Sequence, residues 1–179
     1  MNLAWIDLET TGLRPPQDAI LEIGIVITNN LLNEIAHASF VCKPSRRVML
    51  DEVSPYVLEM HVKNGLWKES AGATINLKDV SALAIAFIKE NEAEGSPACG
   101  STVQFDRAFL KAQALELDQV FHYRNIDVST LKNIASLYDA EAIETCPKRD
   151  KQHRAVDDLR YSIQELEHYL RRWKLGVVN

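Results

Sequence analysis

The stretch that decides the fold is LAWIDLETTGL, residues 3–13. Its apolar residues predict a buried strand, but Asp7 and Glu9 interrupt the apolar run. Side chains two residues apart on a strand point to the same face, so the two carboxylates lie side by side. Neighbouring carboxylates disfavour each other's ionisation. The pair therefore indicates either a solvent-exposed face or a site for a divalent cation, which binds carboxylate oxygens.

Composition limits the class of protein. A chain of 179 residues with 46% hydrophobic content fits one domain over residues 1–179. The net charge of −5 argues against a broad basic surface for long duplex nucleic acid, although a short anionic substrate is compatible with it. The three cysteines have no C-x-x-C spacing, which favours neither a disulfide framework nor a zinc site. No signal peptide or membrane span is apparent, so we expect a soluble cytoplasmic protein without a membrane partner.

The order of predicted elements is βββ-α-α-β-α-β-α-α. Runs rich in Ile, Leu and Val predict the strands, and apolar residues three and four apart predict the helices. This order indicates an α/β fold in which a mixed five-stranded sheet is flanked by helices. The predicted strands are Leu3–Leu8, Ala19–Thr28, Ala36–Cys42, 97–103 and 123–129; the predicted helices are 54–65, 77–93, 106–117, 129–138 and a last one from Val156 to Trp173; Asp139–Gln152 is predicted as a loop.

Two further sets of polar residues lie where such a site could be completed. Asp106 follows GSTVQF at a strand-to-helix junction, where active-site residues of α/β folds gather; the alternative is that it caps the following helix. HRAVDDL places His153 before the last helix and Asp157 and Asp158 in its first turn. The alternative for this segment is a surface histidine followed by carboxylates that complement the helix dipole.

Taken together, these motifs resemble those of the DEDDh 3′–5′ exonucleases: D-x-E on a first strand, an aspartate after a later strand, and H-x4-D at a last helix. The resemblance implies an RNase H-like fold with two Mg²⁺ or Mn²⁺ ions. It also implies that Asp7, Glu9, Asp106 and Asp158 hold the ions and that His153 is the general base.

Helix geometry separates Asp157 from Asp158. At about 100° per residue, Asp158 lies about 110° from the centre of the apolar stripe of the last helix and Asp157 about 150°. Asp157 therefore points to solvent, whereas Asp158 can face the sheet. The five-residue step from His153 that is typical of the family selects Asp158 as well.

Within this group the sequence resembles the oligoribonuclease family, through WIDLETTGL, LEIGIVITNNLLNE, MHVKNGL, HYRNIDVSTLK and HRAVDDLRYSIQEL. The resemblance implies a homodimer that degrades very short oligoribonucleotides, above all dinucleotides, from the 3′ end to nucleoside 5′-monophosphates. Two alternatives stay open. One is a DEDDh exonuclease with another substrate, in DNA proofreading or RNA 3′-end trimming, and the other is a catalytically silent nucleotide-binding module.

The resemblance also implies roles for substrate-binding residues. Leu13 is expected to contact the bases, Tyr56 to stack on a base where the family usually has Trp, and the partner's Tyr123 to stack at the opposite end. The residues expected to cap a 5′-phosphate are His61, Thr102, the partner's Arg124 and the partner's Ser129. The alternatives are that Leu13 simply packs, that both tyrosines are surface aromatics, and that His61 is a cation at a helix C-terminus.

Overall fold

The computed structural model describes residues 2–44, 53–148 and 154–176. In this part of the chain five strands form one sheet in the order β3-β2-β1-β4-β5. β1, β2 and β3 are antiparallel, whereas β4 and β5 are parallel to β1. The predicted mixed five-stranded sheet is confirmed. The strands are β1 Leu3–Thr10, β2 Ile20–Thr28, β3 Glu34–Val41, β4 Pro97–Gly100 and β5 His122–Asp127.

Eight helices lie within the described residues, and side-chain caps fix the start of several of them. Ser54 accepts a hydrogen bond from the Val57 N–H, with Pro55 at the first helical position, as predicted. The helices are α1 Pro55–Lys63, α2 Leu66–Gly72, α3 Leu77–Glu90, α4 Val103–Gln113, α5 Leu115–Asp118, α6 Val128–Tyr138, α7 Ala140–Glu144 and α8 Ala155–Arg172. Among them, no single helix is both long and apolar enough to cross a membrane; α2 and α3 meet that test only when taken together, and they are bent by 108°.

Alternate residues of β1 face two different hydrophobic cores. Ala4, Ile6 and Leu8 pack in the core that α3 and α4 cover. Trp5 packs in the second core, with apolar residues of α6 and α8. Because side chains alternate along a strand, Asp7 and Glu9 continue the Trp5 row on the face that α8 covers. The end of β1 is therefore the place where carboxylates can meet the first turn of α8.

The structure differs from the predicted elements chiefly at three short helices and at the start of α4. α5 was predicted as the end of one helix over 106–117, which instead breaks at Ala114. α2 was not predicted, and α7 lies inside the stretch Asp139–Gln152 that was predicted as a loop, of which residues 149–152 are outside the described part. Helices this short are marginal alone and depend on tertiary packing, which their apolar periodicity is too brief to reveal; α7 packs Ala142 into the second core. α4 begins at Val103, not Asp106, because Thr102 adopts a left-handed conformation with φ of 60° directly after β4.

Candidate active site

Asp7 and Glu9 lie at the carboxyl end of β1. In the pairing with β2, Asp7 lies opposite Gly24 and Glu9 opposite Glu22, and the register becomes irregular directly after Glu9. Glu9 is buried and Asp7 is half-buried. The strand therefore ends in two carboxylates that neighbouring elements shield from solvent, which argues against the simple exposed-face interpretation.

A close contact between β2 and α8 brings the third carboxylate to this place. A Cβ atom built on Gly24 would lie 2.5 Å from the Ala155 Cβ and 2.9 Å from the Ala155 carbonyl carbon. Only glycine allows the first turn of α8 to approach the sheet this closely. Asp158 in that turn is consequently buried beside the end of β1.

The carboxylates of Asp7, Glu9 and Asp158 each offer an oxygen, and these oxygens lie within 4.8 Å of one another. Three acidic groups this close repel one another unless a cation or protons intervene. Hard divalent cations take oxygen ligands, so this donor set fits Mg²⁺ or Mn²⁺. Asp157, in contrast, is exposed and lies 3.6 Å from Arg160, so the helix-geometry choice of Asp158 agrees with the structure.

Asp106 reaches the same cleft from α4, on the other side of β1. It is buried, and its Oδ1 accepts a hydrogen bond of 3.0 Å from the Leu8 N–H. Since Thr102 is the N-cap of α4, the alternative role of Asp106 as a helix cap is wrong. Burial raises the pKa of the Asp106 carboxyl to about 7, with Asp127 adding to the rise, whereas the Leu8 N–H opposes it. A nearby cation would favour the ionised form.

These four acidic residues line a cleft of about 420 Å³. Three predicted substrate-binding residues, Leu13, Tyr56 and Thr102, line it too. Leu13 is 79% exposed and Tyr56 is 73% exposed, so their apolar surfaces face the cleft and not the core. The cleft lining also includes residues that the sequence did not indicate: Val57, Met60, Ser101 and Phe105.

His61 occupies a different position from the one predicted. Its side chain is 0% exposed, and it is absent from the residues that line the cleft. Its Nε2 lies 2.9 Å from the Thr10 carbonyl oxygen, and its Nδ1 lies 4.0 Å from Glu9 Oε2. The ring therefore packs behind Glu9. In this conformation the ring contacts Glu9 and is shielded from the cleft, which does not fit the expected direct contact with a substrate phosphate.

Thr102 and Ser129 are joined within one chain by Asp127. Asp127 Oδ1 accepts hydrogen bonds from the Thr102 N–H at 2.9 Å, the Ser129 N–H at 3.0 Å and the Ser129 hydroxyl at 2.6 Å. This carboxylate holds Thr102 in a left-handed conformation that a β-branched residue rarely adopts. Asp127 was not among the predicted site residues, although an aspartate two residues before the predicted helix from Ser129 is a recognisable N-cap signal.

Tyr123 and Arg124 lie away from the cleft of their own chain. Both are exposed on β5, which is an edge strand of the sheet. The register between β4 and β5 breaks here, because Pro97 pairs with His122 while the next residue, Ala98, pairs with Asn125. Tyr123 and Arg124 therefore form a two-residue bulge.

His153 lies outside the described residues, but its neighbour Arg154 is well anchored. The Arg154 guanidinium contacts buried Glu22 at 3.1 Å and Glu69 at 3.0 Å, joining the start of α8 to β2 and α2. This pairing could not be predicted from the sequence, since the partners are far apart along the chain.

Comparison with known proteins agrees with this geometry. The sequence profile of the exonuclease family matches residues 4–166. The oligoribonuclease of Colwellia psychrerythraea is 38% identical over 169 residues, which cover 94% of this chain and 93% of that protein. The oligoribonuclease of Halorhodospira halophila is 38% identical over 173 residues, which cover 96% and 94%. The chain belongs to the oligoribonuclease family of exonucleases.

Solved structures show the same fold at lower sequence identity. A structure of exonuclease I superposes with a TM-score of 0.71 at 14% identity and covers 96% of this chain. The zinc-bound complex of E. coli exonuclease I with single-stranded DNA gives a TM-score of 0.69 at 16% identity and covers 97% of this chain. This chain spans 41% of each of those chains. The likeness confirms the RNase H-like exonuclease fold.

Proposed function

We propose that this protein is a metal-dependent 3′–5′ exoribonuclease that degrades very short oligoribonucleotides, from dinucleotides to about five-mers, to nucleoside 5′-monophosphates. The observation that carries the proposal is the cluster of Asp7, Glu9 and Asp158, with ligand oxygens within 4.8 Å of one another, at the floor of a cleft that Asp106 also lines. Membership of the oligoribonuclease family gives this acidic cluster its chemistry.

Asp7, Glu9, Asp106 and Asp158 would hold two divalent cations, Mg²⁺ or Mn²⁺. Such a pair of ions stabilises the attacking and leaving oxygens of an in-line phosphoryl displacement. The chain contributes the positions of the ligands: β1 carries two, and the first turns of α4 and α8 carry one each. His153 is proposed as the base that takes the proton from the attacking water, because a histidine pKa is near neutrality.

The dimensions and charge of the cleft favour a short substrate. Its volume of about 420 Å³ is that of a small-molecule site, whereas a long strand needs an extended basic groove. Leu13 and Tyr56 present exposed apolar surface at the cleft, where they would contact the bases. Stacking of a base on an aromatic side chain contributes about 1–3 kcal/mol and needs no particular base, so Tyr56 would support cleavage of any sequence.

Thr102 and Ser129 are proposed to form part of a cap on the 5′-phosphate of the substrate. The family resemblance implies that Ser129 acts in the partner's site, but Asp127 of the same chain accepts hydrogen bonds from both Ser129 and Thr102. We therefore infer that both residues serve the same subunit. Donors around a terminal phosphate exclude longer RNA, in which that phosphate continues into another nucleotide.

A homodimer is proposed because β5 is an edge strand and the helix that follows it, α6, exposes apolar side chains. On α6, Leu137 and Tyr138 are 74% and 83% exposed, and Ile134 of the same helix is also exposed. Edge strands and exposed apolar patches are typical contact sites between subunits. In such a dimer the Tyr123–Arg124 bulge would reach the partner's cleft, since it does not line its own. We place the enzyme in the cytoplasm, where its three free thiols are compatible with a reducing environment.

A length series tests the proposed function. 5′-Phosphorylated RNAs of two to seven nucleotides, and one of twenty, are incubated with the protein and Mn²⁺, and nucleoside monophosphate is measured. We expect the dinucleotide to be cleaved fastest and Asp106→Asn to abolish release, while exposed Asp157→Asn leaves it unchanged. Rapid loss of the twenty-mer without preference for the dinucleotide would point to another exonuclease substrate. Absence of any Mn²⁺-dependent release would favour a silent nucleotide-binding module.

Subunit mixing tests the dimeric site. Asp106→Asn and Arg124→Ala proteins are each purified as poorly active dimers, then mixed and allowed to exchange subunits. In a heterodimer the Arg124→Ala subunit keeps its metal ligands and receives Arg124 from its partner, so one of two sites works. With random exchange, activity on the dinucleotide returns to about a quarter of the wild-type value. No recovery after verified exchange would show that Arg124 acts in its own subunit.

A further inference from the structure

The Tyr123–Arg124 bulge has a defined conformation. Its two residues are inserted between His122 and Asn125, which pair with consecutive residues of β4. The Arg124 N–H donates a hydrogen bond of 3.1 Å to His122 Nδ1. The Arg124 guanidinium carbon lies 5.2 Å from the centre of the Tyr123 ring, and the His122 and Tyr123 rings are 4.3 Å apart. Three consecutive side chains thus form a short stack on the outside of the sheet.

A buried arginine holds both ends of this bulge. Arg107, on α4, is almost fully buried, and its NH1 donates to the His122 carbonyl oxygen at 2.6 Å and to Asn125 Oδ1 at 3.0 Å. Its Nε donates to Asp118 Oδ1 at 2.7 Å, and its NH2 donates to the Asp118 carbonyl oxygen at 3.3 Å. One planar group therefore fixes the residue before the bulge, the residue after it and α5.

We propose that Arg107 is a positioning residue for substrate binding: it holds the Tyr123–Arg124 bulge in the conformation that presents these two side chains to short RNA. The proposal rests on the proposed function, in which Tyr123 and Arg124 contact substrate in the partner's site. Arg107 itself touches no substrate in this arrangement. It acts through the backbone of His122 and the side chain of Asn125.

Position 107 requires a side chain with several hydrogen-bond donors in one plane, which the arginine guanidinium provides. Arg107 serves four acceptor contacts on three residues, and a lysine ammonium cannot reach acceptors on both sides of the bulge while it pairs with Asp118. Without the guanidinium, His122 and Asn125 lose the hydrogen bonds that hold the two ends of the bulge against α4. Tyr123 and Arg124 would then sample several conformations, and ordering them on binding would weaken the affinity for substrate.

The first test separates substrate binding from chemistry. KM and kcat are measured for a 5′-phosphorylated dinucleotide and for bis(p-nitrophenyl) phosphate, a small diester that needs the metal site alone. For Arg107→Lys we expect a rise of about ten-fold in KM for the dinucleotide and less than two-fold change in kcat on the small diester. Asn125→Ala removes one of the four contacts and keeps the buried ion pair, so a rise of about three-fold is expected. The double variant Arg107→Lys/Arg124→Ala should lose no more than Arg124→Ala alone.

Additive losses in that double variant, or equal losses on both substrates, would overturn the proposal, because Arg107 would then act independently of the bulge.

The second test uses hydrogen exchange and does not depend on enzymatic activity. Exchange of amides in the segment 120–127 should accelerate at least ten-fold in Arg107→Lys and in Asn125→Ala, while the segment of β1 stays protected. Unchanged amide exchange in the segment 120–127 of a folded variant would show that Arg107 does not hold the bulge. Exchange could also accelerate while Arg124→Ala leaves dinucleotide cleavage unaffected. Arg107 would then hold the bulge, but the bulge would have no role in substrate binding, and the proposal would fail.

Discussion

Gly24→Ala should inactivate the enzyme without touching any acidic residue. The new Cβ would lie 2.5 Å from the Ala155 Cβ and 2.9 Å from the Ala155 carbonyl carbon, whereas apolar carbon atoms in contact are separated by about 3.5–4.0 Å. Gly24 lies on β2, which is hydrogen-bonded to β1 on one side and to β3 on the other, so this strand cannot yield easily. The first turn of α8 must therefore move outward by about 1 Å or more, carrying Asp158 away from Asp7 and Glu9.

The size of this displacement determines the expected losses of activity and folding stability. A misplacement of about 1 Å in a catalytic constellation lowers the rate by roughly 100-fold. Overpacking of this kind costs about 1–3 kcal/mol of folding stability, which lowers the melting temperature of a domain of this size by about 2–12 °C. The assay is dinucleotide hydrolysis over a range of Mn²⁺ concentrations, together with thermal unfolding in EDTA.

Two further variants make this prediction specific. Gly72→Ala is the matched control, because a Cβ at the end of α2 meets nothing within 4 Å, and both activity and melting temperature should stay within error or rise slightly. Gly24→Ala/Ala155→Gly removes the nearest clashing atom and should recover about ten-fold of the lost activity, while the contact with the residue 155 backbone persists. Full activity and unchanged Mn²⁺ affinity in Gly24→Ala would refute the argument that this close approach positions Asp158.

Asp158→Asn should lower Mn²⁺-dependent turnover by at least about 100-fold, whereas Asp157→Asn should change it less than two-fold; equal effects in steady-state assays would contradict the assignment of ligands. The raised pKa of Asp106, about 7, means that the folded protein retains a proton which the unfolded chain releases near pH 4. In EDTA, stability to urea should therefore fall as pH rises from about 4 to 7, and Asp106→Asn should flatten this part of the profile; a wild-type profile that rises over that range would contradict it. Arg154→Met leaves a buried carboxylate without its guanidinium and should cost about 3–5 kcal/mol by urea unfolding, while Glu69→Gln, at a half-exposed partner, should cost less than about 1 kcal/mol; similar costs would show that the buried ion pair contributes nothing special.

The sequence was informative wherever one element determines the position of a residue. The alternation of β1 placed Asp7 and Glu9 on one face, and the helical period separated Asp158 from Asp157; both inferences agree with the structure. The sheet was likewise predictable, since its strands are apolar runs between turn residues. Gly24 carried a readable signal too, because glycine inside a strand indicates close approach of another backbone.

Features that depend on two or more elements were not predictable from the sequence. His61 follows the apolar residues of α1 at a position typical of a helix C-terminus, and its burial behind Glu9 depends on how α1 docks on the sheet. The early start of α4 depends on Thr102, whose left-handed conformation is held by Asp127 twenty-five residues away along the chain. Intrinsic preference argues against that conformation for threonine, so tertiary contacts decide it.

Two neighbouring residues near the start of α4 connect the acidic cleft with the Tyr123–Arg124 bulge of the same chain. Consecutive residues of a helix point about 100° apart, so Asp106 and Arg107 face different neighbours. Asp106 bonds the backbone of β1 beside the metal ligands, and Arg107 bonds both ends of the bulge in β5. If the proposed dimer and site assignments hold, a shift of this part of α4 would disturb phosphodiester cleavage in its own subunit and, through the bulge, substrate binding in the partner. The parallel strand β4 lies between β1 and β5, and α4 crosses over it from one site to the other. In the proposed dimer, the neighbouring residues Asp106 and Arg107 would therefore act on two different clefts, Asp106 in its own subunit and Arg107, through the bulge, in the partner.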